Sequence, residues 1–383
     1  MAARTGDDLR RFRMRSHLLD GTASGGAPGT VRRMLAVQAQ NLSGARWSLG
    51  LRTPGLTDAA LADALRRGTI VQTWTMRGTL HLTAPADAPW LLSLLGPRAW
   101  SGRGKLWRDT GLTEAVFAKA ADVLGTALEG TALPRSTVLR LLEDAGIPTG
   151  VQRGSHILRY LAETQVVIIG PPQGRTQTFA LFRDRIPAVE PPGREEALAR
   201  LALRYISGHG PATARDLAWW SGLTLADSRL ALHLAAPDLA VLSADGEQSS
   251  VDPSYVDPSS VHPSSVEPAV LDARSGGPAT AHLLPGFDEY TIGYADRTLV
   301  LEERHRSAVG PAVNGLFRPA LAVSGRIRGT WEQEIRGGSV RLRVAPFPGE
   351  ALPGAAGAAA VRAAADRYSR FLGLPVMLDG VDG

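Results

Sequence analysis

The chain has 383 residues, of which 44% are hydrophobic and 21% charged, a composition typical of a globular protein with two or three domains. It contains no cysteine, which excludes disulfides, thiolate metal sites and cysteine nucleophiles, and its eight histidines lack the spacing of metal ligands. The formal net charge of +5 is carried almost wholly by arginine and favours a polyanionic partner. The N-terminus lacks the apolar core of a signal peptide and no run is long enough to span a membrane, so we expect a cytoplasmic protein with no membrane partner and no cofactor.

The first hundred residues predict three helices followed by a pair of strands. The predicted elements are a helix that ends near Ala36, helices capped by Ser43 and Thr57, and strands at residues 70–74 and 79–83 that meet at Arg77-Gly78.

The tripeptide Gln38-Ala39-Gln40 lies between the first two of these helices. Side chains two residues apart diverge on a helix but share one face of an extended segment, so we expect both amides to project together. Paired neutral amides offer donors and acceptors that hold a water molecule, but they cannot deprotonate it at neutral pH. Such a site suits a reaction whose leaving group is already activated.

Two further segments repeat the order of helices and hairpin. The second segment predicts, in order, two helices and two strands: residues 136–145, 154–165, 166–169 and 178–182. In the third segment, Thr213 and Thr224 cap two helices that Gly222 separates, and a strand begins at Leu239. The repetition of this unit indicates tandem winged-helix modules.

A five-residue repeat with proline in every copy follows the third segment, and prolines at this spacing forbid both a helix and a central strand. We therefore expect residues 248–278 to be disordered. The chain then becomes β-rich, with a hairpin around Ser324-Gly325, a strand at 340–344 and a closing helix at 358–372. The predicted organisation is a first winged-helix module at 1–100, a second at 101–190, a third at 191–247, the repeat at 248–278 and a C-terminal β-rich region at 279–383.

Four motifs, in this order, resemble those of the winged-helix DNA glycosylases of the AlkZ and YcaQ type: Val37-Gln-Ala-Gln40, Thr75-Met-Arg-Gly-Thr-Leu-His81, Leu284-Pro-Gly-Phe-Asp-Glu-Tyr290 and Asn314-Gly-Leu-Phe-Arg-Pro319. The resemblance covers nearly the whole chain outside the repeat. It implies a mainly α fold with β-hairpins (α+β), in which tandem winged-helix motifs form a concave, C-shaped arrangement with a C-terminal β-hairpin region. It also implies a monofunctional DNA glycosylase that acts on double-stranded DNA as a monomer, in the cytoplasm and associated with the nucleoid.

The resemblance gives the catalytic role to Gln38 and Gln40. The AlkZ branch of the family carries glutamine–apolar–glutamine, whereas the YcaQ branch carries an aspartate in the second place, so this chain is similar to the AlkZ branch. Those enzymes resemble self-resistance proteins of antibiotic producers, which implies bulky natural-product adducts or interstrand crosslinks as substrates. Alkylation at N7 of guanine or N3 of adenine makes the base cationic, so it leaves as a neutral molecule and positioning one water is the main task.

Polar residues on or near the hairpins are candidates for DNA contacts. We expect Arg77 and His81, at the first hairpin, to contact DNA or line the site. The alternatives are a wing arginine without a base contact and a histidine satisfied within the sheet. The remaining candidates lie in or near the C-terminal hairpin: Asn314, Arg318, Arg326 and Arg328. A solvated arginine face is an equal alternative for the last two.

Two adjacent pairs are interpreted as structural. Asp288 and Glu289 point apart on a helix, which favours structural bonding over shared acid–base work. The pair Trp219-Trp220 is predicted to lie in the core.

Two other functions are compatible with the sequence. A winged-helix transcriptional regulator would bind one operator, and a non-catalytic lesion-binding protein would recognise alkylated DNA without releasing a base. The regulator is disfavoured because Gln-Ala-Gln lies outside any recognition helix and the modules come without a ligand-sensing domain.

Overall fold

The computed structural model describes residues 6–174, 176–244, 247–253, 279–311, 315–350 and 354–380. Its helices are α1 (Gly6–Ser16), α2 (Gly26–Met34), α3 (Leu42–Arg52), α4 (Asp58–Arg67), α5 (Ala88–Ser101), α6 (Gly104–Thr110), α7 (Glu114–Ala127), α8 (Arg135–Asp144), α9 (Arg153–Glu163), α10 (Phe182–Arg185), α11 (Arg194–His209), α12 (Ala214–Ser221), α13 (Leu225–Ala235), α14 (Glu289–Ile292), α15 (Arg306–Val309) and α16 (Gly354–Leu372). Its strands are β1 (Ala36–Gln38), β2 (Val71–Met76), β3 (Thr79–Thr83), β4 (Ala132–Pro134), β5 (Val167–Ile169), β6 (Thr178–Leu181), β7 (Ala240–Ala244), β8 (Glu247–Val251), β9 (Ala281–Leu284), β10 (Ala320–Val323), β11 (Arg326–Arg336), β12 (Ser339–Pro346) and β13 (Val376–Asp379). Across these ranges, no helix is both long enough and apolar enough to cross a bilayer.

The fold is mainly helical with antiparallel hairpins, which confirms the predicted class. Within the described ranges, the hairpins of the first two predicted modules join in one antiparallel sheet of six strands, ordered β1-β3-β2-β5-β6-β4. The link is the pairing of Gln72 on β2 with Ile169 on β5, and both α5 and α9 pack on β2. The sheet therefore crosses the predicted boundary at residue 100, and the strands around the Gln-Ala-Gln segment rest on both modules.

The connection between β2 and β3 is the two-residue turn Arg77-Gly78. Both residues have positive φ, 50° and 72°, as in a type I′ turn, and Met76 faces Thr79 across it. The predicted turn is confirmed. It places the Arg77 side chain at the tip of the hairpin.

The helix-turn-helix of the third segment is confirmed. Thr213 caps α12 in a reciprocal bond with Asp216, Gly222 ends this helix with a φ of 78°, and Thr224 caps α13. Each of these signals lies within four residues of its partner, so the ends of both helices could be predicted from the local sequence.

The strands β7 and β8 form an antiparallel pair that follows this helix-turn-helix. Residues 248–251, predicted as part of a disordered repeat, belong instead to β8, because Val251 pairs with Ala240 and is buried. The greater part of the repeat, residues 254–278, lies outside the described residues.

In the C-terminal region, the described strands form a sheet ordered β13-β12-β11-β10-β9, against which α16 packs. The predicted hairpin around Ser324-Gly325 is confirmed. Trp47 of α3 packs against the rings of Tyr368 and Phe371 on α16, with ring centroids 4.6 and 5.2 Å apart. The core of the C-terminal region therefore includes a helix from the first hundred residues.

One predicted cap is wrong, and helices α1, α5, α6, α7, α10 and α11 lie in stretches where no helix was predicted. The cap of α3 is Asn41, whose side chain accepts from the Gly44 N–H at 3.1 Å, and not Ser43. The helix α5 was not predicted, because most of its residues are buried on all sides and Pro97 lies inside it, so it lacks the amphipathic period of a surface helix.

A fully buried ion pair ties α3 to the segment before α14. Both oxygens of Asp288 accept from the guanidinium of Arg52 at 2.8 Å, and the Ser48 hydroxyl donates to one of them. Neither charged side chain is exposed. This is the structural bonding predicted for Asp288.

Asp288→Leu should lower the free energy of unfolding by about 3–5 kcal/mol, because the Arg52 guanidinium would stay buried without a counter-charge. The double variant R52M/D288L should recover much of that loss, since it removes both buried charges. Urea denaturation of R52M, D288L and the double variant measures the coupling. Strictly additive losses would contradict a direct buried pair.

Candidate active site

Gln38 ends the short strand β1 and lies opposite His81 on β3. Its backbone N–H donates to Oε1 of Glu289 at 2.8 Å, and its side-chain Oε1 accepts from Nη2 of Arg77 at 3.0 Å. Only 8% of the residue is exposed. Gln38 is therefore fixed at both its main chain and its amide.

The side chain of Gln40 takes the place of a main-chain acceptor at the end of the ladder between β1 and β3. The Ala39 N–H donates to the Leu80 carbonyl at 2.7 Å, while the Ala39 carbonyl accepts from the side chain of Gln72 at 3.0 Å. The Leu80 N–H, which would bond that carbonyl in a regular ladder, donates instead to Oε1 of Gln40 at 3.2 Å. Gln40 is exposed at the end of the strand.

The carboxylate of Glu289, on the first turn of α14, is fully buried behind Gln38. Besides the Gln38 N–H it accepts from the indole N–H of Trp220 at 2.9 Å, and Nε2 of His209 lies 3.5 Å from the same oxygen. Burial alone would raise the pKa of Glu289, but His209, His81 and Arg77 outweigh it and lower this pKa to about 2. Glu289 is therefore a charged anchor, and its side chain points away from that of Asp288 as predicted.

Arg77 and His81 differ in their exposure to solvent. Arg77 is exposed at the hairpin tip, and its side chain packs on Gly222 of the helix-turn-helix. His81 is fully buried and donates from Nδ1 to the Thr79 carbonyl at 3.0 Å. His81 therefore lies within the sheet opposite Gln38 and does not reach the surface. The alternative of a satisfied histidine holds for Nδ1 alone, because Nε2 is buried with no hydrogen-bond partner among the described residues.

The C-terminal candidates for DNA contact are spread over two places. Arg318 is exposed next to Phe317, whose carbonyl packs on Gly286 in the turn before Glu289. Arg328 donates to Glu350 at 2.5 Å and Arg326 lies 3.9 Å from Glu302, as expected of a solvated face with its own counter-ions. Asn314 lies outside the described residues.

Two aromatic side chains border the site and were missed by the sequence analysis. Phe287 has a φ of 64°, rare for an aromatic residue, in a turn closed by a bond from the Asp288 N–H to the Pro285 carbonyl. Its ring lies 5.7 Å from that of Phe317, and both residues are half-buried. Both stand in the motifs quoted above, but only the fold shows that the motifs meet.

The tryptophan pair of α12 is divided between core and surface. Trp220 is fully buried, whereas Trp219 is 46% exposed, so the prediction that both lie in the core is wrong for Trp219. Adjacent helical residues point about 100° apart, and only one of them faces the core here.

A cavity of about 340 Å³ opens beside Gln40. Its lining comes from the Ala39-Gln40 end of the motif, α3, α4, the first hairpin and the loop between β5 and β6. The lining is apolar with a few neutral amides and two arginines, Arg46 and Arg185, and no acidic side chain is among the described residues that form it.

One cluster in the described part of the chain has the composition of a metal site: Glu302, His305 and Glu350. Arg304 and Arg328 both donate to the carboxylate of Glu350, so its charge is already balanced. This cluster is a set of surface ion pairs and lies outside the Gln38 site.

The comparisons with known proteins place the chain in one family. A family model described as DNA glycosylase AlkZ-like matches residues 31–371. A protein of Streptomyces sahachiroi described as an interstrand DNA cross-link repair glycosylase is 29% identical over 350 residues, which are 88% of this chain and 89% of that protein. The solved structure of Streptomyces sahachiroi DNA glycosylase AlkZ matches with a TM-score of 0.78 and 26% identity over 98% of this chain and 100% of that one.

His81 should make the stability of the protein depend on pH. Burial lowers the pKa of His81 from its ordinary 6.5 to about 3, so the unfolded chain binds this proton more readily than the folded one. The stability gained from neutral His81 is therefore complete above about pH 6.5 and is lost as the pH falls toward 3. Between these limits the residue should contribute about 1.4 kcal/mol per pH unit.

The measurement is urea denaturation of the wild type and of His81→Asn between pH 4 and pH 8, with His233→Asn on the exposed face of α13 as the matched control. The His81 variant should show the shallower pH dependence. Equal slopes for all three proteins would contradict the buried neutral histidine.

Proposed function

Because the chain belongs to the AlkZ-like DNA glycosylase family, we propose that it hydrolyses the N-glycosidic bond of guanine alkylated at N7 or adenine alkylated at N3 in duplex DNA. The proposal rests on one observation, the anchoring of Gln38 by Glu289 and Arg77 next to the exposed Gln40. It would be a monofunctional enzyme that works as a monomer on chromosomal DNA in the cytoplasm.

The chemistry requires little more than these amides. An alkylated base is cationic and leaves as a neutral molecule, so no side chain has to protonate it. Each glutamine oxygen already accepts one bond, from Arg77 or from Leu80, which fixes the direction of its amide. The NH₂ groups and the second oxygen lone pairs remain to orient one water toward the anomeric carbon.

The cavity beside Gln40 supports bulky adducts as the substrates. Its volume of about 340 Å³ is within the range of small-molecule pockets, and its apolar, acid-free lining suits the neutral body of a natural-product adduct. A similar protein, that of Streptomyces sahachiroi, is described as acting in interstrand crosslink repair. We therefore include interstrand crosslinks among the substrates and self-resistance to a genotoxic antibiotic as the biological role.

The catalytic amides are tested by base release from duplex oligonucleotides that carry N7-alkylguanine, followed by alkaline cleavage at the abasic site. Gln38→Ala and Gln40→Ala should each slow single-turnover release about 100-fold, because the water loses its orientation. Gln40→Glu should keep the bond to the Leu80 N–H and retain activity, with a new dependence on pH from the carboxylate.

Circular dichroism and binding to undamaged duplex serve as controls for folding. Release that is unchanged in the Gln38/Gln40 double alanine variant would refute the assignment of the amides. No release from any alkylated duplex, with tight binding to undamaged DNA, would leave a regulator as the function.

The adduct cavity is tested by filling it. Ala62 of α4 lines the cavity, so Ala62→Phe should slow release of a bulky adduct roughly tenfold or more, because the added ring takes up room that the adduct needs. Release of N7-methylguanine should stay at the wild-type rate. The control is Ala59→Phe, an exposed position of the same helix that does not line the cavity. Equal loss on both lesions, or none on either, would refute the assignment of the cavity.

A further inference from the structure

Arg77 forms one wall of a second concavity, which lies beside Gln38 and is distinct from the adduct cavity. This cleft has a volume of about 520 Å³ and is lined by four arginines from separate parts of the chain: Arg77, Arg98, Arg103 and Arg159. They come from the tip of the first hairpin, the end of α5, the α5–α6 connection and α9. We call this feature the arginine cleft.

The arginine cleft has an excess of positive charge. Glu163 is the carboxylate that pairs with its walls, and it binds both Arg103 at 3.2 Å and Arg159 at 2.9 Å. Arg98 donates to the Gly222 carbonyl at 2.5 Å and Arg77 to the Gln38 amide, both of which are neutral acceptors. No acidic side chain appears among the described residues that line the cleft. Glu289, behind Gln38, acts on Arg77 without a direct bond, so four guanidinium groups face two carboxylates. The remaining positive charge favours a bound anion.

The backbone is shaped to admit these side chains. Gly78 has a φ of 72°, and any Cβ at this position would collide with the guanidinium of Arg159. A Cβ at Gly222 would lie 3.2 Å from Cγ of Arg77. Glycine at the two turns therefore leaves room for Arg159 beside Gly78 and for Arg77 beside Gly222.

We propose that the arginine cleft binds a backbone phosphate of the lesion-bearing DNA strand next to the reacting sugar. This inference rests on the proposed function and deepens it. Guanidinium groups match phosphate oxygens in geometry and charge, and Arg77 joins the cleft directly to Gln38. Since the phosphate is covalently joined to the deoxyribose, anchoring it here holds the anomeric carbon beside the two amides.

The first test compares wild type, Arg98→Gln and the double variant R98Q/R103Q in binding to undamaged duplex as salt is raised. Each arginine that contacts a phosphate should contribute about 0.9 to the slope of log K against log salt, so the double variant should lose up to about 1.8. Arg98→Lys should keep most of the slope, because it keeps the charge. Arg183→Gln, exposed and remote from the cleft, is the matched control and should bind as wild type.

The second test locates the phosphate by replacing single phosphates beside the lesion with neutral methylphosphonates. One position should weaken wild-type binding about tenfold and leave R98Q unaffected, because both changes remove the same contact. Additive effects at every position, or a wild-type salt slope in R98Q/R103Q, would overturn the assignment. Because binding is measured without base release, this failure is distinguishable from failure of the glycosylase proposal.

The third test asks whether the arginine cleft binds a free phosphate compound and not DNA. Inorganic phosphate and a nucleoside monophosphate are titrated against wild type and R98Q in the absence of DNA. We expect no binding at millimolar concentrations. Tight binding that R98Q abolishes would assign the arginine cleft to a free phosphate and overturn its assignment to DNA.

Discussion

The buried carboxylate of Glu289 is the point at which three distant parts of the chain meet. Its two oxygens bind the main chain of Gln38 and the indole of Trp220, and its own helix turn is held in place by the Arg52–Asp288 pair. A charge in the interior is tolerated only when its donors are all in place. The position of the Gln-Ala-Gln segment therefore depends on the helix-turn-helix and on the C-terminal region as much as on its own sheet.

This dependence explains why so short a strand can hold a candidate catalytic residue. The strand β1 has three residues, and its ladder ends with side chains in place of main-chain partners, Gln72 on one side and Gln40 on the other. Such a strand would fray if it were held only by its neighbour. The carboxylate behind Gln38 supplies a charge-assisted bond at the point where the regular ladder stops. Gln40 thus makes a structural bond and is exposed at the same time.

The sequence was sufficient wherever the deciding contacts are local. The caps Thr57, Thr213 and Thr224 and the turn at Arg77-Gly78 all act within a few residues, and each lies where it was predicted. Gln38 and Glu289 are 251 residues apart in the sequence, and no periodicity or spacing predicts a hydrogen bond between them. The family resemblance assigned both motifs to one function, but it did not show that they are in contact. The arginine cleft was even harder to predict from the sequence. Arg98 lies beside Arg77 because of the position of α5, and α5 is a buried helix without an amphipathic pattern.

The two concavities adjoin different members of the amide pair, and one is rich in arginine whereas the other has no acidic side chain and a partly apolar lining. The cleft reaches the site through Arg77, which bonds Gln38, and the adduct cavity reaches it through Gln40. In the proposed complex the phosphate lies at the arginines and the modified base at the apolar, acid-free lining. The glycosidic bond joins these two ends, so it must pass the amides if both ends are seated at once. Placement by both ends has a further consequence, because a lesion too small to fill the cavity is held by its phosphate alone. In the proposed complex, selectivity for bulky adducts therefore depends on the same geometry that orients the water.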